Sequence, residues 1–298
     1  MIKVKAHAKI NLHLQVLGKR PDGFHELRTL LQSVDLADEL TAATEESGEL
    51  SLAVEPGGAV SCGEENLVLR AARLLRERCG TGHGARMTLA KRIPLGAGLG
   101  GGSADAAASL ALLDRLWGLG LGAPELHRLA SALGSDVPFF LHGGLALGVG
   151  RGEEVYPLAD LPQLGVVIAA PRVEAATSAV YGRLEPRLTW SPPDGSVYAF
   201  AAGLGGSLPW EVLRNDLQPV VVKAWPEVGE VVSHLQRCAP LHAAVTGSGS
   251  AAFALFADRE SARAVAAGLG DRWWVHAGVT LGRSQAGVGR ALGKEDVG

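Results

Sequence analysis

Cysteine is scarce. The 298-residue chain holds three, Cys62, Cys79 and Cys238. They are odd in number, far apart and in no CxxC pair, which excludes a disulfide framework and a zinc-finger type of site and leaves reduced thiols. An excess of one charge is lacking too: 28 Lys and Arg face 31 Asp and Glu, with no basic block. No nucleic acid and no membrane surface is therefore an expected partner. No run approaches the ~18 uncharged apolar residues of a membrane span. Lys3, Lys5, Lys9 and Lys19 interrupt the N-terminal stretch, where a signal peptide needs roughly 7 to 15 apolar residues in a row. A soluble, cytoplasmic protein is expected. Nor is there the low hydrophobicity of disorder, with 47% hydrophobic and 20% charged residues. The length predicts two moderate domains.

Glycine, by contrast, is plentiful: there are 40, and they cluster. From Ile2 to Val16 apolar and polar residues alternate, which predicts a long strand with one dry face and with Lys9 and Asn11 side by side on the wet one. A turn cluster, Gly18 to Gly23, ends it. Weak strands over 28–40 and 49–55, a helix from Leu67 to Gly80 and a strand from Arg86 to Ile93 follow. That strand runs into Pro94-Leu95-Gly96-Ala97-Gly98-Leu99-Gly100-Gly101-Gly102-Ser103, after which an Ala/Leu pattern predicts a helix from Ala104 to Trp117. A further helix fits Pro124 to Leu133, stopped by Gly134. The stretch from Pro186 to Trp210 is rich in Pro, Gly and Ser and predicts a domain transition between about 155 and 210. Beyond it the order is helix (226–238), strand (241–246), Gly247-Ser248-Gly249 turn, strand (251–256), helix (260–269), strand (273–281). This order suggests a two-layer, ferredoxin-like α+β sandwich. The tail after Ser284 is expected to fray.

Five glycines within the seven residues 96–102, between a strand and a helix, leave backbone N–H groups uncovered beside a helix N-terminus, an anion cradle. The dinucleotide GxGxxG reading lacks the second strand and its acidic end. The P-loop reading lacks its Lys, since Gly102-Ser103 stands there, and the protein-kinase loop sits in a hairpin rather than opening a helix. What survives is a nucleotide loop whose cation comes from elsewhere.

The run from Ile93 to Ala104 resembles the central motif of the small-molecule kinases grouped with galactokinase, homoserine kinase and mevalonate kinase, the GHMP superfamily. Ala8-Lys9-Ile10-Asn11-Leu12, Pro21-Asp22-Gly23-Phe24-His25-Glu26-Leu27, Gly134 to Phe140, Asn215-Asp216-Leu217 and Thr246 to Gly249 match in order, and the resemblance runs from about residue 3 to 282. It implies an α+β, two-domain chain: an N-terminal α/β ATP-binding domain (1–160) with the glycine-rich phosphate loop, a ferredoxin-like C-terminal domain (161–285) and a tail (286–298). It also implies an ATP-dependent kinase of the non-mevalonate isoprenoid route, acting on a cytidine diphosphate sugar alcohol. Homoserine- or mevalonate-like kinases, and a nucleotide-binding module without turnover, are the alternatives.

On its own Asp136 fits a helix N-cap and Lys9 a snorkelling strand lysine. The resemblance instead implies Asp136 as the catalytic base and Lys9 as the cation that keeps it ionised and supplies the loop's missing charge. It implies ATP against Pro94 to Ala104, with Asn66 and Lys91 near the adenine. Ser103 is either an N-cap or a phosphate and Mg2+ ligand. Asn11 suits the polyol end of the substrate, and Gly247, Ser248 and Gly249 its phosphates. The resemblance places the cytosine between Phe24 and Tyr181, four residues beyond Thr177, with His25 on the ring edge. A side chain at Gly101 is expected to fill the cradle and weaken ATP binding without unfolding. No protein metal site is expected: His7 and His13 lie about 20 Å apart along their strand, which leaves Mg2+ carried with ATP. The assembly is expected to be a monomer or weak homodimer.

Overall fold

The structure, a computed structural model, describes residues 1–57, 61–184 and 194–289. Its first half runs β1 (Ile2–Lys19), β2 (His25–Glu45), β3 (Leu50–Glu55), α1 (Leu67–Cys79), β4 (Gly84–Ala90), α2 (Gly101–Leu116), α3 (Ala123–Leu133), α4 (Val137–His142), β5 (Leu145–Gly150) and β6 (Glu154–Pro157). The second half runs β7 (Gly165–Ala170), α5 (Thr177–Tyr181), α6 (Ser196–Ala202), α7 (Gln218–Ala224), α8 (Pro226–Arg237), β8 (His242–Val245), β9 (Ala252–Phe256), α9 (Arg259–Ala267), β10 (Trp274–Val279) and α10 (Arg283–Ala286).

β2 organises the first sheet. It pairs antiparallel with β1 along its length, while Leu27 to Gln32 also pair with β5 and Glu39 to Glu45 with β4. The order is β3-β4-β2-β5-β6, with β1 on β2. The alanines and leucines of α2 pack here against α1, α3 and α4 and against Leu31, Leu40 and Met87 of the sheet. In the second sheet the order β10-β7-β9-β8 is that of a ferredoxin-like βαββαβ unit, with Val228, Val231, Val232 and Leu235 of α8 and Ala262 of α9 buried against it. A third core joins the halves, drawing Ile10, Leu12 and Leu30 together with Val166, Ile168, Phe253 and Leu255.

That shared core corrects the expected wet face of β1. Residues 8–18 are buried on both sides, Lys9, Asn11, His13 and Gln15 included. The second half reaches the odd positions: the Arg214 N–H donates to His13 Nδ1 at 3.2 Å and Ser196 Oγ lies 3.3 Å from His13 Nε2. The end of the fourth strand also moves. β4 stops at Ala90 rather than Ile93 because the Arg92 and Ile93 N–H groups turn to Asp38 Oδ1, at 2.5 and 2.8 Å. α2 starts at Gly101 rather than Ala104, entered through Gly100 at φ 72°, so two glycines that read as helix breakers form its first turn. α4, the β5–β6 hairpin, α6 and α7 carry too little periodicity to be anticipated. Nor do residues 286–289 fray: Ala286 and Val288 are buried. The expected transition region includes residues 185–193 and the expected tail includes 290–298, both outside the described residues. Among the described residues no helix is long and apolar enough to cross a membrane.

Two histidines at the junction titrate abnormally. Burial, with Arg214 nearby, pushes His13 down to about 4, and burial likewise takes His242 to about 4. An unfolded histidine binds its proton near pH 6.5. Between pH 6.5 and 4 the unfolded chain therefore holds more protons than the folded one, and stability falls as pH falls. Urea midpoints should drop from pH 7 to pH 5, and less steeply in His242→Gln. Parallel slopes for the two proteins would remove His242 from the account.

Candidate active site

The glycine loop and the second half enclose a cavity of about 870 Å³, near the upper end of the roughly 300 to 1,000 Å³ of small-molecule sites. Among the described residues the N–H groups from Gly96 to Ser103 meet no acceptor in the protein. They precede or open a sixteen-residue helix whose N-terminus carries the positive end of its dipole. Gly96, Gly98 and Gly100 hold φ of 63, 76 and 72°. The second glycine turn presses on the first: a Cβ on Gly98 would lie 2.3 Å from the Thr246 carbonyl oxygen. Asn215 explains its motif by tying that turn down, its Nδ2 donating to the Val245 and Gly247 carbonyls at 2.8 Å each. Thr177 Oγ1 and Ser248 Oγ lie 2.9 Å apart, which fixes α5 to the same turn.

β1 delivers Lys9 and Asn11 beneath this pair of loops. Lys9 Nζ donates to Asn11 Oδ1 at 2.6 Å and lies 3.7 Å from Asp136 Oδ2. Asn11 is held in turn, its N–H donating to Thr246 Oγ1 at 3.0 Å and its Nδ2 to Thr29 Oγ1 at 2.9 Å. Burial pulls the Lys9 ammonium below the usual lysine range while Asp136 pushes it up. Asp136 stands at the N-cap position of α4 but makes no side-chain cap bond, and its side chain is 42% exposed. A half-exposed carboxylate faces a buried ammonium on the wall of the cavity.

Other expected residues are placed differently. Asn66 does not line the cavity: it caps α1, accepting from the Val68 N–H at 2.9 Å and donating to the Ser61 carbonyl at 2.7 Å. Lys91 does line it, but its ammonium is held by Asp38 and, at 2.7 Å, by Asp105. Ser103 is not a cap. It is the third residue of α2, and its hydroxyl has no partner among the described residues. A Cβ on Gly101 would meet Ile93 Cγ2 at 3.0 Å and Lys91 Nζ at 3.3 Å, the rear anchor of the loop, so Gly101→Val would strain the fold as well as the cradle. Among the described residues no three His, Cys, Asp or Glu side chains gather to hold a metal ion.

Phe24, His25, Thr177, Tyr181, Gly247 and Ser248 all line the same cavity, whereas Gly249 is behind the turn, its Cβ position against Val221 and Val245. His25 and Tyr181 have ring centroids 4.9 Å apart at 30°, so those two already touch, and Phe24 stands apart and half exposed. Thr29, Lys19 and Arg151 also line the cavity, and sequence reasoning did not single them out. Thr29 pairs with Leu14 and meets the Asn11 side chain only through the register shift between Asn11 and His13, which nothing local announces, and Arg151 lies in an unanticipated hairpin turn.

Residues 66–144 match the family described as GHMP kinases N terminal domain, and residues 199–275 match GHMP kinases C terminal. The chain is 47% identical over 268 residues to a 4-diphosphocytidyl-2-C-methyl-D-erythritol kinase of Pelotomaculum thermopropionicum, covering 90% of this chain and 93% of that one. It is similar to a crystal structure of 4-(cytidine 5'-diphospho)-2C-methyl-D-erythritol kinase, with a TM-score of 0.79 and 37% identity over 94% of this chain and 99% of that one. A homoserine kinase from Cytophaga hutchinsonii shares the fold, with a TM-score of 0.76 at 22% identity over 96% of each chain. The chain belongs to the GHMP kinases and, within them, to the family of 4-diphosphocytidyl-2-C-methyl-D-erythritol kinases.

The Lys91 cluster yields a pH prediction. Burial pushes the Asp105 carboxyl up to about 7, opposed by Lys91 and reinforced by Asp38. An unfolded aspartate titrates near 3.9. Between those values the folded chain holds the extra proton, so this group's contribution is full below pH 4 and is lost as pH rises through 7. Asp105→Asn removes the linkage. Relative to wild type its melting temperature should rise between pH 5.5 and 8. A pH-independent difference would contradict the assignment.

Proposed function

We propose that this kinase transfers the γ-phosphoryl group of ATP to the 2-hydroxyl of 4-(cytidine 5'-diphospho)-2-C-methyl-D-erythritol, giving the 2-phosphate and ADP in non-mevalonate isoprenoid precursor biosynthesis. The carrying observation is that one cavity contains the glycine loop, the Lys9–Asp136 pair and the Phe24, His25 and Tyr181 rings. Asp136, half exposed and free of a cap bond, takes the hydroxyl proton. Lys9 faces that carboxylate and stabilises charge on the acceptor oxygen, and Asn11 orients the ammonium. Burial keeps Lys9 from being screened by water, which strengthens that stabilisation. The free N–H groups from Gly96 to Ser103 receive the phosphates of the nucleotide. Mg2+ brought with ATP would neutralise phosphate oxygens, and the unpartnered Ser103 hydroxyl at the helix entry fits a ligand to it. Gly247 and Ser248 meet the substrate's phosphates. The reaction runs in the cytoplasm on a monomer or weak homodimer.

Stacking accepts any base, so preference for cytidine must come from hydrogen bonds at the ring edge, a task for His25 or its adjacent backbone. ATP consumption should be measured side by side with the cytidine-diphosphate sugar alcohol, its uridine analogue, mevalonate and homoserine. The first should dominate. Comparable kcat/KM for the uridine analogue would sink the base-reading role, and faster turnover of homoserine or mevalonate would overturn the substrate. In the same assay Asp136→Asn should lower kcat by at least ~10²-fold with little change in the KM for ATP. Lys9→Met should be similarly severe, and the two losses should not add, because both side chains act on one transition state.

A further inference from the structure

Phe24 is 51% exposed and ends the five-residue connection between β1 and β2, where an aromatic ring would ordinarily swing freely. Here the connection is closed from below. Arg20 pairs with Glu26 at 2.5 Å and with Asp22 at 3.1 Å, the Arg20 N–H donates to the Phe24 carbonyl at 2.8 Å, and the Phe24 N–H donates to Asp22 Oδ1 at 3.1 Å. The ring itself is held from a different element. The Arg151 guanidinium carbon lies 4.9 Å from the Phe24 ring centroid, over its face.

Arg151 is not a loose surface arginine. It lies in the turn between β5 and β6, where its Nε donates to Glu153 Oε1 at 3.1 Å and its backbone N–H to Glu153 Oε2 at 2.7 Å. Gly150 and Gly152, at φ 71 and 106°, shape that turn around it. Both Arg151 and Phe24 line the cavity. A planar guanidinium stacks flat on a ring in a way that an ammonium does not. One face of Phe24 is thereby covered, the backbone that carries the ring is pinned, and the half-exposed ring borders the cavity. Fixing the ring before binding removes an ordering cost that the ligand would otherwise bear.

We propose that Arg151, braced by Glu153, is a positioning and specificity-determining residue for the nucleobase of the acceptor substrate, acting by backing the Phe24 ring so that its free face forms a rigid stacking platform. This rests on the cytidine-bearing substrate proposed above. The competing use of Arg151 is direct pairing with the substrate's diphosphate, and the experiment separates the two.

The test measures kcat and KM for the cytidine substrate, KM for ATP, and CDP affinity by calorimetry without turnover. The proteins are wild type, Arg151→Ala, Arg151→Lys, Glu153→Gln, Phe24→Ala and the Phe24→Ala/Arg151→Ala double variant. Arg151→Ala should raise the KM for the cytidine substrate and weaken CDP by about three- to tenfold, as expected for loss of a partly exposed cation–π contact together with its preorganisation. kcat and the ATP KM should stay within twofold. Arg151→Lys should recover little of the loss, and Glu153→Gln should show part of it. In the Phe24→Ala background, removing Arg151 should cost nothing further. An undiminished Arg151→Ala effect in that background, or full rescue by Lys, would overturn the platform in favour of direct anion pairing. A fall in kcat at unchanged KM would overturn it in favour of an effect through the Asp136 side of the turn, where a Cβ on Gly152 would lie 3.8 Å from Asp136 Oδ1. Wild-type protein that turns over homoserine or mevalonate instead but binds CDP would overturn the substrate reading while leaving the platform standing, and failure of the wild type to bind CDP would overturn the platform.

Discussion

A lysine ammonium that is 3% exposed constrains the rest of this molecule. Removing a cation from water costs several kcal/mol even after local relaxation. What offsets the cost here is modest: a neutral amide oxygen at 2.6 Å and a carboxylate at 3.7 Å that is itself partly solvated. The site is thus short of negative charge, and an incoming phosphoryl group and its acceptor oxygen supply it. Everything that buries Lys9 serves this imbalance. β1 is a strand of the first sheet buried on both faces, the second half packs on its odd face, and the Lys9 N–H is fixed to the Leu99 carbonyl at 3.1 Å.

The two glycine turns are consequently one device rather than two. Thr246 Oγ1 accepts from the Asn11 N–H and lies 3.3 Å from Asn11 Oδ1 and 3.4 Å from the Gly98 carbonyl. The Ala251 N–H reaches the Ala97 carbonyl at 3.1 Å. Side chains at 98 or 247 would enter this contact, the latter within 3.3 Å of Lys9 Nζ. Loop geometry in the first half is therefore held by the second half, and the shared core around Ile10 and Phe253 keeps the two in register. At the loop's rear, Asp38 grips the Arg92 and Ile93 N–H groups and, through Lys91, the helix residue Asp105.

Much of this was legible because it is local. The alternation from Ile2 to Val16 placed Lys9 beside Asn11, and their hydrogen bond follows from that spacing even though β1 shifts register between His7 and Lys9 and again between Asn11 and His13. The glycine run between a strand and a helix announced its cradle, and the helix–strand order after 226 announced the ferredoxin-like sheet. What escaped depends on pairs distant in the chain. Nothing local to Lys91 says that Asp38 and Asp105 will claim it, and nothing local to Asn66 distinguishes a ligand from a helix cap. The burial of Lys9 on a face that alternation marks as wet comes from residues some 200 positions later. The β5–β6 hairpin was hidden because Gly143 to Gly152 reads as loop composition, although β5 pairs in register with β2 and β6 with β5. Arg151 and its hold on Phe24 were hidden with it.

Lys9 is buried with too little negative charge around it until ligands arrive. The direct measurement is a pH titration of the lysine ε-carbon NMR signals, assigned through Lys9→Met for disappearance of a peak, in the free protein and with ADP and the cytidine substrate bound. Lys9 should titrate below the surface lysines in the free protein, because burial outweighs Asp136, and should shift upward when the phosphates bind. A Lys9 signal that titrates together with the exposed lysines in both states would contradict the account.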